Sequence, residues 1–552
     1  MSREFFAQRL RRHGWWLALL VLWCATMAWR PLLDPDEARY ARIPQEMIES
    51  GDWVTPHLNG LKYFEKPPLQ YWATAALYKV FGVHEWTARL WGCALGFACL
   101  PLLYGFARRI GWPRERAQVA VALLAINPLY LVVGQITLLD QGFTFFCVAT
   151  LFALVLGQGA PPGSRAERHW MLAGWLTLAL AVLSKGLVAP LLLALTLSGY
   201  CLMQRDLSVL KRLHALPGLA LLLIVTLPWF IAVQRANPDF AWFFFVHEHY
   251  ARFTTNVHHR TGAWWYFLAI TSFALLPWLP RLPGALRRAL RAPAPAQGLH
   301  VERLLWIWCV TVLVFFSISH SKLPPYVLPI MPPLALLLAG DLEQVQTSWR
   351  RVGAVTLAVV LALAAGLAFY GWHSQGELDA PLRTALALAA LIAGLGLVWI
   401  ARAPQTTAAA LHWLAIGGVA MVCYQALLIA YNGLPQSPGS KPFAVAVGDF
   451  VDARTQVFTV GQYRHGVNYY LDRNQRVFEY DGELAFGLAQ RGLSRARCSL
   501  AAFRDAWRRA DDAIAIVDRE WLPLVRMSGV HGTIVAADAR SVALRRDTTR
   551  VD

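Results

Sequence analysis

Charge is in short supply in this chain: Asp, Glu, Lys and Arg make up 15% of its 552 residues, whereas soluble domains carry about 25%. Set against 57% hydrophobic residues, that deficit excludes an ordinary soluble protein of this length. Acidic residues are scarcer than basic ones, leaving a formal net charge of +17. The distribution of that charge excludes a nucleic-acid partner, because Arg and Lys gather in short loops between apolar runs, as cytoplasmic loops of membrane proteins do. Of the eight cysteines only Cys498 lies in the polar C-terminal tail, so no disulfide framework is available there and no paired metal-type Cys motif exists. A glycine-rich nucleotide-binding motif is also missing, which leaves no nucleotide or redox cofactor to expect.

What the chain has in abundance is apolar length. Runs at 14–33, 88–106, 117–137, 141–158, 170–184, 187–204, 216–235, 263–280, 304–319, 323–340, 352–371, 382–401 and 408–430 predict about 13 transmembrane helices, many of them near the twenty residues that one crossing needs. The first run follows a basic start, MSREFFAQRLRRHGWW, but is too long for a signal peptide and has no small-x-small cleavage site, so it reads as an anchor. Basic loops around Arg108, Arg165, Lys211, Arg287 and Arg350 place the N-terminal side in the cytoplasm and the acid-rich insert after the first run outside. After Tyr431 a turn-rich linker leads to β-rich runs at 456–461, 476–481 and 513–518, which alternate with helical patterns. The expected fold is therefore mostly α: a polytopic membrane domain over 1–431 with an outward-facing loop at 34–86, and a soluble α/β domain outside the membrane over 432–552, both of which the resemblance given below places in the periplasm.

Polar islands interrupt this pattern where charge is costly. The insert DPDEARYARIPQEMIESGDWVTPHLNGLKYFEKPPLQYW carries Asp34, Asp36 and Glu37 at a helix start. Helix capping explains one such carboxylate well and three poorly. Arg39 and Tyr40 follow one turn along, and Tyr63, Glu65 and Lys66 precede a rigid Pro-Pro turn. Asp140 sits in a short turn between spans. Lys185, in Ser184-Lys185-Gly186, reads as an outer turn, since a lysine at mid-membrane costs roughly 2.5–3.5 kcal/mol. AWFFFVHEHYARF at 241–253 suits an interfacial helix carrying His247, Glu248, His249 and Arg252, and SKLPPYVLP brings Lys322 and Tyr326 to the start of a span. All of these fall on one side by the topology. Cations grouped there can hold a phosphate diester, and acids can hold an amine or take a proton. That chemistry suits a lipid-phosphate donor whose tail stays in the bilayer.

The long insert, the SKG turn and SKLPPYVLPIMPP resemble the lipid A aminoarabinose transferases, a branch of the protein O-mannosyltransferase-like membrane glycosyltransferases with the GT-C fold. The resemblance covers essentially the whole chain. It implies transfer of 4-amino-4-deoxy-L-arabinose from undecaprenyl phosphate to a lipid A phosphate, at the periplasmic face of a Gram-negative inner membrane. Lipopolysaccharide masked in this way resists polymyxin and cationic antimicrobial peptides. Carried over by position, Asp36, Lys66 and Asp140 are the catalytic residues implied. Glu37, Arg39, Tyr40, Tyr63, Lys185, Arg252, Lys322 and Tyr326 are the substrate-binding residues, and Glu65 with His247 are the ligands of a divalent metal ion should one be used. A hydroxyl acceptor would need a general base, whereas a lipid A phosphate is already ionised, so with that acceptor Asp36 would bind the sugar amine or position the acceptor. The alternative within enzymes is transfer of another sugar to protein Ser/Thr or to an envelope glycan. A lipid transporter or flippase would show an internal repeat with polar residues at mid-membrane, and no such repeat is visible.

Overall fold

The computed structural model describes residues 3–255, 262–292, 298–340, 342–375, 380–403, 409–432, 434, 439–480, 482–492 and 498–546. Each of the thirteen apolar runs is helical in whole or part. Among the described residues seven helices are long and apolar enough to cross a membrane: Glu85–Arg109, Leu139–Gly159, Ala215–Ala236, Val301–Ile318, Trp349–His373, Ala380–Arg402 and His412–Asn432. The chain is a mostly helical, multi-pass membrane protein.

The remaining runs depart from straight spans for local reasons. The run 117–137 divides into Arg114–Ala125 and Pro128–Gly134, bent by 69°. Pro128 has no N–H to continue the first helix, and the Asn127 side chain instead accepts from the Tyr130 N–H, starting a new one. The run 263–280 holds only the helix Tyr266–Ala274 before Pro277 and Pro280 redirect it. Shorter apolar helices cover Gly14–Cys24, Val188–Gln204 and Pro324–Leu338.

The polar insert folds onto one end of the helices. Asp36–Ser50 forms a helix, and β1 (His57–Leu58) pairs antiparallel with β2 (Leu61–Lys62). Asn59 and Gly60, at φ 57° and 67°, supply the two left-handed residues that so tight a hairpin demands. Pro67 and Pro68 then lead into the helix Leu69–Phe81.

Beyond residue 440, the strands β3 (Gln456–Val460), β4 (Arg476–Phe478), β5 (Ala513–Asp518), β6 (Thr533–Ala537) and β7 (Ser541–Arg545) form one sheet in the order β4-β3-β5-β7-β6. β3 runs parallel to β4 and β5, and β7 is antiparallel to β5 and β6. Phe458, Val460, Ala515 and Val517 pack on Phe503 and Trp507 on one side, while Val457, Ile514 and Ile516 pack on Phe443 and Val467 on the other. This domain docks on the insert: Asp34 accepts from Ser440 Oγ and the Gly466 N–H, Asn59 exchanges two hydrogen bonds with the Gln475 backbone, and Arg42 pairs with Asp472.

Glu37 belongs to the frame, which corrects its assignment to substrate. Its carboxylate takes Arg89 Nε at 2.8 Å and Nη2 at 3.0 Å, plus the N–H groups of Leu33 and Thr137, and both charged side chains are essentially sealed from solvent. Glu37→Gln leaves a buried guanidinium short of its counter-charge and is expected to cost about 3–5 kcal/mol. The thermal unfolding midpoint in detergent should fall well below that of Asp36→Asn, whose carboxylate is part-exposed. Equal midpoints would refute the clamp.

Candidate active site

Two polar groups meet where the insert covers the helix ends. The first is built on Arg39, whose guanidinium is shared between Asp36, one turn earlier on the same helix, and Glu483 of the C-terminal domain. Arg39 is buried, while the Asp36 and Glu483 side chains keep 38% and 19% of their surface open. The Tyr40 ring lies 4.9 Å from the guanidinium carbon. Burial pushes the Tyr40 and Tyr63 hydroxyls above their ordinary pKa, keeping both protonated as hydrogen-bond donors.

The second group collects cations from three segments. Arg252 donates to Glu248 at 2.9 Å and to the Tyr326 hydroxyl at 3.1 Å, and lies 3.9 Å from Glu65. Lys66 stands 3.7 Å from Glu248 and donates to the Glu65 carbonyl. Lys185 pairs with Asp140, and its ammonium sits 4.3 Å from the centre of the Tyr326 ring.

Local sequence explains the convergence. Trp242–Ala251 is wound as a π-helix, a form that recurs at functional sites, and turns Glu248 and Arg252 to a common side. Gly186 ends the helix Arg165–Lys185 at φ 88°, where a Cβ would collide with the His249 imidazole. That glycine lets Lys185 come in beside the 242–251 segment. Near Lys185, an apolar cavity of about 1450 Å³ is lined by Leu187, Leu193, Leu223 and Phe245 among others.

Residues 16–244 match the family model for dolichyl-phosphate-mannose-protein mannosyltransferase, and residues 443–546 match that for the aminoarabinose transferase C-terminal domain. An undecaprenyl phosphate-α-4-amino-4-deoxy-L-arabinose arabinosyl transferase of Aeromonas salmonicida is 33% identical over 378 residues, covering 66% of this chain and 68% of that one. The chain belongs to the aminoarabinose transferase family. A Pseudomonas aeruginosa member is 38% identical over 375 residues, an alignment that spans 66% of that enzyme's length, just under two thirds. The crystal structure of ArnT from Cupriavidus metallidurans bound to undecaprenyl phosphate superposes with a TM-score of 0.83 at 29% identity, covering 97% of this chain and 99% of that one. An archaeal oligosaccharyltransferase from Archaeoglobus fulgidus shares the fold alone, at 14% identity and a TM-score of 0.51.

Within this family member, the residues singled out from sequence divide cleanly. Asp36, Arg39, Tyr40 and Tyr63 surround the first group, and Lys66, Asp140, Lys185, Arg252 and Tyr326 the second. Lys322 does not join them: its ammonium donates to the carbonyls of Ser317 and Ser319 at 2.7 Å, capping the end of the helix Val301–Ile318, which corrects its assignment to substrate. His247 Nδ1 faces Glu248 at 3.1 Å and Glu65 faces Arg252, and the described residues hold no group of three or more His, Cys, Asp or Glu able to take a metal. With Glu65 and Glu248 already matched to Arg252 and Lys66, this donor set does not fit a divalent ion, and no step is routed through one. Sequence reasoning gave no role to Glu248 or Glu483. Glu248 was detectable as the i,i+4 partner of Arg252; Glu483, remote in sequence with no distinguishing neighbours, had no such signal.

Burial, with Arg252 adding to it, pushes Lys66 down to about 8 against the pull of Glu248 and Glu65. Lys66 is therefore cationic below that pH and loses its charge above it. Affinity for an anionic lipid phosphodiester should decline as pH rises through about 8 in the free enzyme. Lys66→Arg, always charged, should remove that limb. Unfolding does not account for the loss, because between about 8 and the ordinary 10.5 the unfolded chain binds more protons and stability from this group rises with pH. Binding titrations from pH 6.5 to 9.5 provide the measurement, and a pH-independent affinity in the wild type would contradict it.

Proposed function

We propose that this chain transfers 4-amino-4-deoxy-L-arabinose from undecaprenyl phosphate to a phosphate of lipid A, at the periplasmic face of the bacterial inner membrane. The observation that carries the reading is the gathering of Lys66, Arg252, Lys185 and the Tyr326 hydroxyl at one end of the helices. The activity for which the relatives are named and the Cupriavidus complex support the donor class. The basic loops that the sequence places on the opposite side favour this orientation, and with an odd number of crossings, thirteen on the sequence reading, the C-terminal domain lies in the periplasm. The apolar cavity beside Lys185 suits the carrier's hydrocarbon chain.

An ionised oxygen of the lipid A phosphate attacks the anomeric carbon of the sugar. The bond from that carbon to the carrier phosphate oxygen breaks, and its electron pair stays on undecaprenyl phosphate. Neither the nucleophile nor the leaving group needs a proton moved, so the barrier falls through alignment and through charge stabilisation of the departing phosphate. Lys66, Arg252 and Lys185 provide that charge, and the Tyr326 hydroxyl can donate to the same oxygens. Asp36, part-exposed beside Arg39, faces the sugar and acceptor. Modified lipid A carries added positive charge, which weakens capture of polymyxin and cationic peptides; membrane lipids and lipopolysaccharide are thus the partners.

Mass spectrometry of lipid A from a strain lacking its own transferase, with and without this gene, tests the reading. One or more added aminopentoses should appear, and Arg252→Ala should reduce their rate of formation on the order of 10²-fold or more. A glycosylated protein with unmodified lipid A would instead support the hydroxyl-acceptor reading that the mannosyltransferase model over 16–244 keeps in view.

A further inference from the structure

The helix Leu282–Arg291, LPGALRRALR, takes no part in the site and has a surface of its own. At about 100° of turn per residue its side chains fall into three sectors. Ala285 and Ala289 are buried and face the protein. Arg287 and Arg291 are exposed and project roughly opposite those alanines. Between the two lies an edge made by Leu286 and Leu290, 40% and 50% exposed.

Packing sets this roll. Arg288 donates to the Leu337 carbonyl at 2.9 Å. From the next helix, Arg303 donates to the carbonyls of Ala289, Leu290 and Ala292 at 2.9, 3.0 and 2.8 Å. Those guanidinium groups hold the helix to its neighbours. The side chains of Arg287 and Arg291, by contrast, make no ion pair or hydrogen bond among the described residues. They stand one turn apart, their Cβ atoms about 5–6 Å from each other, close enough to grip a single phosphate.

The helix also lies at the far end of the bundle from the site. Leu337 is near one end of the apolar helix Pro324–Leu338, and Tyr326 is near the other. Val301–Ile318, 18 residues and roughly 27 Å long, separates Arg303 from the carbonyls that Lys322 caps in the same way. Such a position, at the ends of membrane-crossing helices, brings the leucine edge level with acyl chains and the arginines level with headgroups. Guanidinium groups hold phosphate oxygens by charge-assisted hydrogen bonds. A zwitterionic headgroup brings its own ammonium to that phosphate, whereas an anionic one leaves its charge for the two arginines.

We infer that Leu282–Arg291 binds anionic phospholipid in the leaflet opposite the catalytic site, with Leu286 and Leu290 among the acyl chains and Arg287 and Arg291 on the phosphate. That leaflet is the cytoplasmic one in the proposed orientation. The inference goes beyond the transfer reaction, and its test requires no turnover.

The test places a fluorophore on the leucine edge. The chain's own cysteines are buried or half-buried, so a thiol introduced by Leu286→Cys takes the label selectively. The full-length labelled protein is reconstituted in nanodiscs, and quenching is titrated with phosphatidylglycerol or phosphatidylcholine carrying the same acyl-chain nitroxide. Phosphatidylglycerol should reach half-maximal quenching at a mole fraction about fivefold or more below that of phosphatidylcholine. Adding Arg287→Gln and Arg291→Gln to the labelled chain should bring the two curves together. If Leu286→Cys does not accumulate, Leu290→Cys reports the same edge. Equal curves without the arginine substitutions overturn the inference, as does a preference that survives them. Absence of quenching by either lipid overturns it too, and assigns the edge to a protein partner instead.

Discussion

The Glu37–Arg89 pair is the joint on which the site depends. Arg89 lies in the Glu85–Arg109 helix, and it spends its other donors on the carbonyls of Met27, Arg30 and Pro31. Glu37 gathers the N–H groups of Leu33 and Thr137. One bidentate contact thus ties the exit of the first helix, the start of the 36–50 helix, the Glu85–Arg109 helix and the residues just before Asp140. Buried pairs of this kind add little net stability over an apolar substitute, yet they tolerate few alternative geometries. Here the geometry sets where Asp36 and Arg39 stand relative to Asp140 and Lys185.

The C-terminal domain is held by a second set of polar contacts, each from a residue of the insert. Asp34 reaches Ser440 and Gly466, Asn59 reaches Gln475, and Arg42 reaches Asp472. The insert is consequently the common support for both halves of the protein, and a sheet domain far along the chain can deliver Glu483 to Arg39.

Much of the site was legible in the sequence because charge stands out where burial makes it expensive. Lys185, Asp140 and Arg252 were conspicuous for that reason alone. Equal-looking charges were not separable, however. Asp36 and Glu37 are adjacent, and only Arg89, inside an apolar run and one helical face away, decides that one frames the site and the other lines it. Lys322 resembles Lys66 in its Lys-x-Pro setting but caps a helix end. Glu483 stayed invisible because its role comes from a tertiary contact over hundreds of residues. Hydropathy likewise measures apolar length and not direction, so the 69° break at Pro128 and the short helix within 263–280 could not be read from composition.

The pairing of the cations also bears on turnover. A half-dry pocket cannot hold several uncompensated ammonium and guanidinium groups without large cost. Glu248, Glu65 and Asp140 supply the balancing negative charge from within the protein. On the proposed reaction, the donor phosphate takes over part of that role, and the cations need not move far to exchange partners. The same carboxylates then compete with undecaprenyl phosphate once the sugar has left. A site with cations alone would grip its lipid product as firmly as its substrate. Internal carboxylates reduce that grip for donor and product alike.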